Sequence, residues 1–430
     1  MAHHSGRAKW WGALVGAVVA SALTAIIVVN LSLGDKKIEH VVPSLYGVED
    51  AQFLRSMGVL LGPPLVNGNR TTVLVNGDRI FPAMLDALRK ARKTITFEMY
   101  IYWSGRIGKE FADVLSERAR AGVKVHVMID AVGSGKIDES FIEEMRAAGV
   151  QVERYNPPHF YTIGRLNNRT HRKLVVVDGA IAFTGGVGIA DKWSGDAQDA
   201  DHWRDTHFQI EGPAVAQMQS AFMDNWTEVT GNVLHGEDYF PPLKPVGPQL
   251  AQIFTSSPGG ASDSMQLMYL LSIAAAHKRI ALSASYFVPG DVEIQTFVQA
   301  LKRGVKVQII VPGPIIDSDI VRRASRARWG ALLEAGAEIY EYQPTMFHCK
   351  VMVVDDLWTS VGSTNFDNRS FAINDEANLN VYDSDFAKQQ VLIFEQDLKR
   401  SRRITLEEWQ NRPWHEKLWE HTTSLLGAQF

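Results

Sequence analysis

The chain has 430 residues, 46% hydrophobic and 21% charged, which excludes a wholly disordered polypeptide and leaves room for two or three domains. Lys plus Arg is 44 against 48 Asp plus Glu, a net charge of -4. Bulk charge therefore does not make this a general nucleic-acid binder, although a local basic cleft is compatible with it. The single cysteine, Cys349, excludes an intramolecular disulfide and a thiolate zinc cluster.

A short tail over 1–9 precedes an uncharged run from Trp10 to Leu33, 24 residues long. As a helix it would measure roughly 36 Å, enough to cross a ~30 Å hydrocarbon core. Trp10 and Trp11 stand at one end, where indoles favour the membrane interface. Ala20-Ser21-Ala22 resembles a signal-peptide cleavage site, but the apolar run continues eleven residues beyond it. The reading is an uncleaved single-pass anchor over 10–33. Arg7 and Lys9 before it balance Lys36 and Lys37 after it, so only the terminal amine tips the body towards the extracytoplasmic side. Residues 34–70 read as a connector with a short helix.

The remainder repeats itself. Ala121-Gly122-Val123-Lys124-Val125 returns as Arg303-Gly304-Val305-Lys306-Val307, with the GVKV shifted by 182. Ala148-Gly149, Tyr155 and Pro157 return as Ala335-Gly336, Tyr342 and Pro344, shifted by 187. So long a period means duplicated domains, because solenoid repeats run to about 20–50 residues. Val123, Val125, Val127 and Ile129 alternate as on a strand. Ile107, Phe111, Val114 and Leu115 fall on one helix face, as do Ile294, Phe297, Val298 and Leu301. The expected fold class is α/β, with halves over 71–240 and 251–395 and a Pro-rich linker over 241–250. A tail over 396–430 carries Trp414, Leu418, Trp419, Leu425 and Leu426, an amphipathic face that would rest on lipid or pack on the body.

Each half holds His-x-Lys, four residues, then Asp: His171, Lys173 and Asp178 in the first, His348, Lys350 and Asp355 in the second, with the histidines 177 apart. Two residues apart on a strand, His and Lys point to the same face. One such match would be weak; two in corresponding places of a duplication point to a shared site. A neutral imidazole can attack phosphorus, and a protonated one can serve the leaving oxygen. Two lysines would offset charge on the non-bridging oxygens. This phosphodiester chemistry calls for no metal and no cofactor. Gly185-Gly186 and Gly362-Ser363-Thr364-Asn365 follow the two motifs, and Ser363 and Asn365 are candidate donors to phosphate. Asp205 lies 34 residues after His171, and Glu376 lies 28 after His348. A carboxylate on each imidazole's other nitrogen would fix its tautomer. Tyr100, Tyr286 and Phe287 are candidates for an acyl-chain entrance or for the core.

These paired motifs, with Arg165-Leu166-Asn167-Asn168-Arg169, Trp203-Arg204-Asp205-Thr206-His207 and Asn365-Phe366-Asp367-Asn368-Arg369-Ser370, resemble the phospholipase D superfamily and its bacterial cardiolipin synthase branch. The resemblance covers about residues 70–400. It implies two α/β halves with pseudo-twofold symmetry around one active site, His171 as the nucleophile that becomes phosphatidylated, and His348 as general acid and base. It also implies a cardiolipin synthase-like phosphatidyltransferase acting on phosphatidylglycerol at a membrane, with no nucleic-acid partner. The alternatives are a phospholipase D that hydrolyses phospholipid and a membrane-tethered phosphodiesterase or nuclease. Arg165, Arg169, Arg172 and Arg369 would suit anionic lipid headgroups as well as nucleic acid. Two departures stand out: Gly188 replaces the Asn expected in Gly-Gly-x-Asn, and the chain shows one apolar span where many relatives carry two.

Overall fold

The computed structural model describes the backbone of residues 4–31, 38–157, 168–257 and 264–424. It divides into two units, Met1–Lys37 and Ile38–Phe430. The described residues of the first unit form one helix, α1 (His4–Leu31). Its described side chains run from Trp10 to Thr24, all exposed. Among the described residues, no helix is long and apolar enough to cross a membrane. The expected span runs on past Thr24, outside the described side chains.

The second unit opens with α2 (Ala51–Leu60), the helix expected in the connector. The first half then alternates β1 (Val66–Val75), α3 (Gly77–Arg89), β2 (Thr94–Met99), α4 (Arg106–Arg120), β3 (Lys124–Asp130), α5 (Glu139–Ala147) and β4 (Gln151–Tyr155). It continues with β5 (Lys173–Val177), β6 (Ile181–Gly185), β7 (Thr206–Glu211) and α6 (Val215–Thr230). The second half repeats the plan: β8 (Gln249–Ser256), α7 (Ser264–Ala274), β9 (Arg279–Ala284), the short β10 (Phe287–Val288), α8 (Asp291–Lys302) and β11 (Lys306–Pro312). Then come α9 (Asp319–Ala327), α10 (Gly330–Glu334), β12 (Glu338–Tyr342), β13 (Lys350–Val354), β14 (Trp358–Gly362), β15 (Phe366–Asp367), α11 (Asn368–Ala372), β16 (Glu376–Tyr382) and α12 (Ser384–Leu398). β17 (Ser401–Ile404), α13 (Leu406–Gln410) and α14 (Trp414–Ser424) close the described chain.

Fifteen strands form one sheet in the order β17-β12-β11-β9-β13-β14-β16-β8-β1-β7-β6-β5-β2-β3-β4. Read from the central β8–β1 junction, the two arms present equivalent strands in the same sequence, which is the pseudo-twofold symmetry expected from the duplication. The junction pair is antiparallel, with Val66 opposite Ala251. Each arm has a parallel part reached through covering helices outside an antiparallel inner part, and in the second arm the antiparallel β17 is added at the edge. The boundaries differ from expectation at three places. β1 begins at Val66, inside the connector, and β8 begins at Gln249, inside the linker. Residues assigned to the tail supply β17, which pairs with β12.

Separate apolar cores fill the two arms, one around Phe97, Phe111 and Val127, the other around Phe297, Ile309 and Trp358. A third joins them: Leu174 and Val176 of β5 share it with Val361, Leu379 and Val381 of β14 and β16. Burial of this seam makes the halves one body, since each buried aliphatic side chain contributes about 1.5–3 kcal/mol.

The Asp that ends each motif serves this framework. Asp178 and Asp355 adopt left-handed φ values of 52° and 51° at the turns after β5 and β13. Asp178 accepts the backbone N–H groups of Arg92, Lys93 and Thr94, and Asp355 those of His277, Lys278 and Arg279. Each clamps the start of the neighbouring strand, β2 or β9. Seven residues of extended chain, roughly 23 Å, separate each from its histidine. The expectation that these aspartates join the catalytic group is therefore corrected: they are structural. Asp355→Ala should cost about 1–3 kcal/mol of stability, read by denaturant melts, with turnover per folded molecule close to that of the parent.

Candidate active site

Polar groups converge where the ends of β5 and β13 meet across the pseudo-twofold axis. The parity rule holds: His171 and Lys173 face one side, and Lys173 Nζ donates to the His171 carbonyl at 2.7 Å. Lys350 Nζ likewise donates to the His348 carbonyl at 2.9 Å and to Ser285 Oγ at 2.7 Å. His171, Lys173 and His348 line one cavity of about 480 Å³, built from both halves.

The carboxylates cross over. His171 Nδ1 donates to Glu376 of the second half, 2.9 and 3.0 Å from its two oxygens. His348 Nδ1 lies 2.8 Å from Asp205 Oδ2 of the first half. Sequence order placed each acid after its own half's histidine; backbone bridges place it beside the other's. The His171 N–H donates to the Asp375 carbonyl, and the Asp375 N–H to the Arg169 carbonyl, both at 2.9 Å. In the mirrored place the His348 N–H donates to Arg204 at 2.8 Å, and the Arg204 N–H to Met346 at 2.9 Å. Because a carboxylate only accepts, the proton sits on Nδ1 of each ring and Nε2 is left to work.

Burial sets the electrostatics. It pushes the His171 imidazole down to about 4, against the pull of Glu376. It lowers His348 too, helped by the Lys350 ammonium. Burial alone would raise the Glu376 carboxyl, but His171, Lys173 and the Ser363 hydroxyl hold it at about 2. Asp205 is likewise held below the usual carboxylate range, with burial outweighed by His348 and Lys350. Lys173 is pushed down to about 7 by burial, and Lys350 is lowered for the same reason.

The glycine pairs now have reasons. A Cβ on Gly186 would lie 2.3 Å from Asp205 Oδ1, so only glycine lets that carboxylate reach across. Its counterpart Ser363 donates to Glu376 Oε2 at 2.5 Å. That corrects its expected role: the hydroxyl serves the carboxylate, not phosphate. On Asp205 the equivalent donor is the Trp193 indole, 3.0 Å from Oδ2. Asn365 does line the cavity, and Ser285 Oγ–H donates to its Oδ1 at 2.8 Å, so its Nδ2 is what it offers a ligand. Gly188 lacks an Asn for a steric reason, since a Cβ there would lie 2.8 Å from Ile101 Cβ.

Arg172, between His171 and Lys173, points the other way and is fully buried. It donates to the Ala221 carbonyl at 2.7 Å and Ser257 Oγ at 2.9 Å. Beside it, Glu98 accepts from Thr170 Oγ1 and from Asn225 Nδ2. This polar floor fixes the residue before His171. Arg172 is thus no headgroup ligand, Arg169 and Arg369 do line the cavity, and Arg165 lies outside the described residues. Tyr100 and Tyr286 line the cavity, whereas Phe287 is core. Sequence reasoning gave no role to Trp103, Lys136, Lys192, Asp317 and Asn374, which also line it, or to Trp193. The duplication offered a signal for Lys136 and Asp317 alone, in the equivalent loops after β3 and β11; Trp103 follows β2, Lys192 and Trp193 follow β6, and Asn374 precedes β16.

Comparisons with known proteins fit this geometry. The family described as "Cardiolipin synthase, PLD-like domain" matches residues 84–226 and 269–398. The chain is 35% identical over 360 residues to "Cardiolipin synthase 2" of Bacillus anthracis, spanning 83% of this chain and 70% of that protein. It is 36% identical over 367 residues to "Cardiolipin synthase" of Geobacillus kaustophilus, spanning 85% and 73%. "Cardiolipin synthase A" of Pseudomonas syringae pv. syringae is 34% identical over 366 residues, spanning 83% and 74%. The crystal structure of phosphatidylserine synthase from Haemophilus influenzae superposes with a TM-score of 0.65 at 13% identity, over 88% of this chain and 100% of that one. At that identity the likeness speaks for the fold.

Two outcomes are expected. Glu376→Gln and Asp205→Asn should each lower kcat by about 10²–10⁴-fold with the fold retained, as loss of a histidine-orienting acid does elsewhere. The second concerns acid. His126, His171 and His207 are buried and held at about 4, 4 and 3, below the ordinary 6.5. The unfolded chain binds a proton on each below about 6.5, and the folded chain does not. The stability these histidines contribute should therefore fall as pH drops from about 6.5 towards 4. Glu98, Asp130 and Asp367, raised by burial to about 7, 6 and 6, take up protons in the folded chain over the same range and oppose this. The histidine share is therefore read by difference: between about pH 6.5 and 5 the thermal midpoint of His207→Gln should fall less than that of the parent.

Proposed function

This chain belongs to the phospholipase D-like cardiolipin synthase family, and from that premise we propose that it transfers the phosphatidyl group of one phosphatidylglycerol to another, giving cardiolipin and glycerol. Phosphatidyltransferase activity of the cardiolipin synthase kind is supported by relatives about 35% identical over most of the chain. The observation that carries the mechanism is the pair of Nδ1-anchored histidines, one from each half, in a single cavity.

In the first displacement His171 Nε2 attacks phosphorus while the bond to the glycerol oxygen breaks. Protonated His348 gives its Nε2 proton to that oxygen. Bound phosphate, an anion beside both rings, favours the charged form that this step needs. In the second displacement the hydroxyl of another phosphatidylglycerol attacks the phosphatidyl-histidine, its proton returns to His348, and His171 is freed. Lys173, Lys350 and the Asn365 amide face the non-bridging oxygens in both steps.

The apolar run over 10–33 would hold the enzyme at the bilayer as a single-pass anchor, with the terminal amine favouring a body outside the cytoplasm. Helix α14 supports a lipid-facing surface. Its Glu420 is turned inward onto Arg412 at 2.9 Å and Arg326 at 3.1 Å, while Trp414, Leu418 and Trp419 are 75, 54 and 62% exposed. Leu425 and Leu426 lie outside the described residues. α14 packs on α9, whose Val321 lines the cavity.

The test is a product assay. Full-length protein in liposomes with labelled phosphatidylglycerol should yield cardiolipin and glycerol in equal amounts, and His171→Ala and His348→Ala should each abolish both. Phosphatidic acid as the main product would make water the acceptor and replace this reading with hydrolysis.

A further inference from the structure

One phosphodiester carries one negative charge, and two buried lysines already stand at the histidines: Lys173 lines the cavity with His171, and Lys350 Nζ lies 3.2 Å from both ring nitrogens of His348. The cavity's other cations, Lys136, Arg169, Lys192 and Arg369, outnumber its carboxylates, Asp317 and Asp367. The backbone brings two of these cavity-lining residues to neighbouring peptide groups. The Asn374 N–H donates to the carbonyl of Arg369, and the next N–H, that of Asp375, to the carbonyl of Arg169, both at 2.9 Å. Arg369 comes from the second half and Arg169 from the first, so the pairing exists only across the axis. Both guanidiniums act electrostatically on the Tyr100 phenol, whose ring lies 4.9 Å from that of His171. Arg169 spends one donor on the Asn168 carbonyl at 2.8 Å, and a guanidinium has five.

A third group points the same way. Asn374 lines the cavity, is 6% exposed, and directs Nδ2 towards Glu376 Oε1 at 3.4 Å. Among the described residues its buried Oδ1 has no hydrogen-bond partner. Because Nδ2 faces a carboxylate, the free atom is the acceptor, and it suits a hydroxyl. Two guanidiniums and a neutral acceptor match a phosphodiester with an adjoining glycerol hydroxyl.

We propose that Arg169, Arg369 and Asn374 form a second phosphate subsite, which holds the phosphate and glycerol of the acceptor lipid while its hydroxyl reaches the phosphatidyl-histidine. The subsite rests on the synthase reading and names what selects a lipid over other alcohols. Its role is binding; no bond is made or broken there.

Competition between acceptors isolates it. Full-length protein in phosphatidylglycerol liposomes receives 1-propanol, and cardiolipin and phosphatidylpropanol are measured together. Both arise from the same covalent intermediate, so their ratio depends only on the acceptor step. Arg169→Gln and Arg369→Gln should each lower the cardiolipin to phosphatidylpropanol ratio by about 10- to 100-fold, the worth of a charged hydrogen bond. Arg169→Lys and Arg369→Lys, which keep the charge without the fork, should give intermediate ratios and guard against a misfolded Gln variant. An unchanged ratio, whether both products fall together or neither falls, would overturn the subsite. A wild type that makes phosphatidylpropanol and no cardiolipin would overturn the synthase reading itself.

Discussion

The site depends on an exchange of carboxylates between the halves. Neither half holds a complete histidine–acid pair, and each is completed by a strand of the other. Backbone hydrogen bonds at Thr170–Asp375 and Arg204–Phe347 enforce the exchange. They also draw the ends of β5 and β13 together, so the two Nε2 atoms look into one cavity. Arg204 strengthens the second crossing, with Asp397 Oδ1 and Oδ2 at 2.9 and 2.7 Å from its guanidinium. Buried charges of this kind are tolerated because each is paired and hydrogen-bonded.

Within that symmetry the halves have diverged where it suits the chemistry. Both acids need a second donor to stay ionised in a dry setting. One uses the Ser363 hydroxyl and the other the Trp193 indole, which leaves room for Gly186. Among the described residues a cavity-facing amide stands only in the second half, and Ile101 fills the space an Asn at 188 would need. The second aromatic face also differs. Tyr100 stands against His171, whereas Trp193 and Trp203 stand 5.3 and 5.6 Å from His348.

Much of this was legible in the chain. The duplication, the strand parity of His and Lys, and the helix faces of α4 and α8 all follow from periods of 2 and 3.6. The four histidine and lysine positions and both acids lie where the motifs put them. The partner of each acid was not legible, since linear order suggests pairing within a half and only the sheet shows otherwise. Asp178 and Asp355 misled for a related reason. Seven residues look close along a sequence, yet in extended chain they reach the opposite edge of the sheet. Arg172 shows the limit of composition: an arginine beside a motif histidine reads as a ligand for anions, but parity turns it into the polar floor.

The unbroken sheet across the β1–β8 junction has a further consequence. Strands hydrogen-bonded edge to edge and sealed by a shared apolar seam make a poor hinge between the halves. In the transfer proposed above, the departing and the arriving alcohol would share the one cavity that both halves line. With little give between the halves, an intermediate held on one histidine would wait for the first headgroup to clear before the next could take its place.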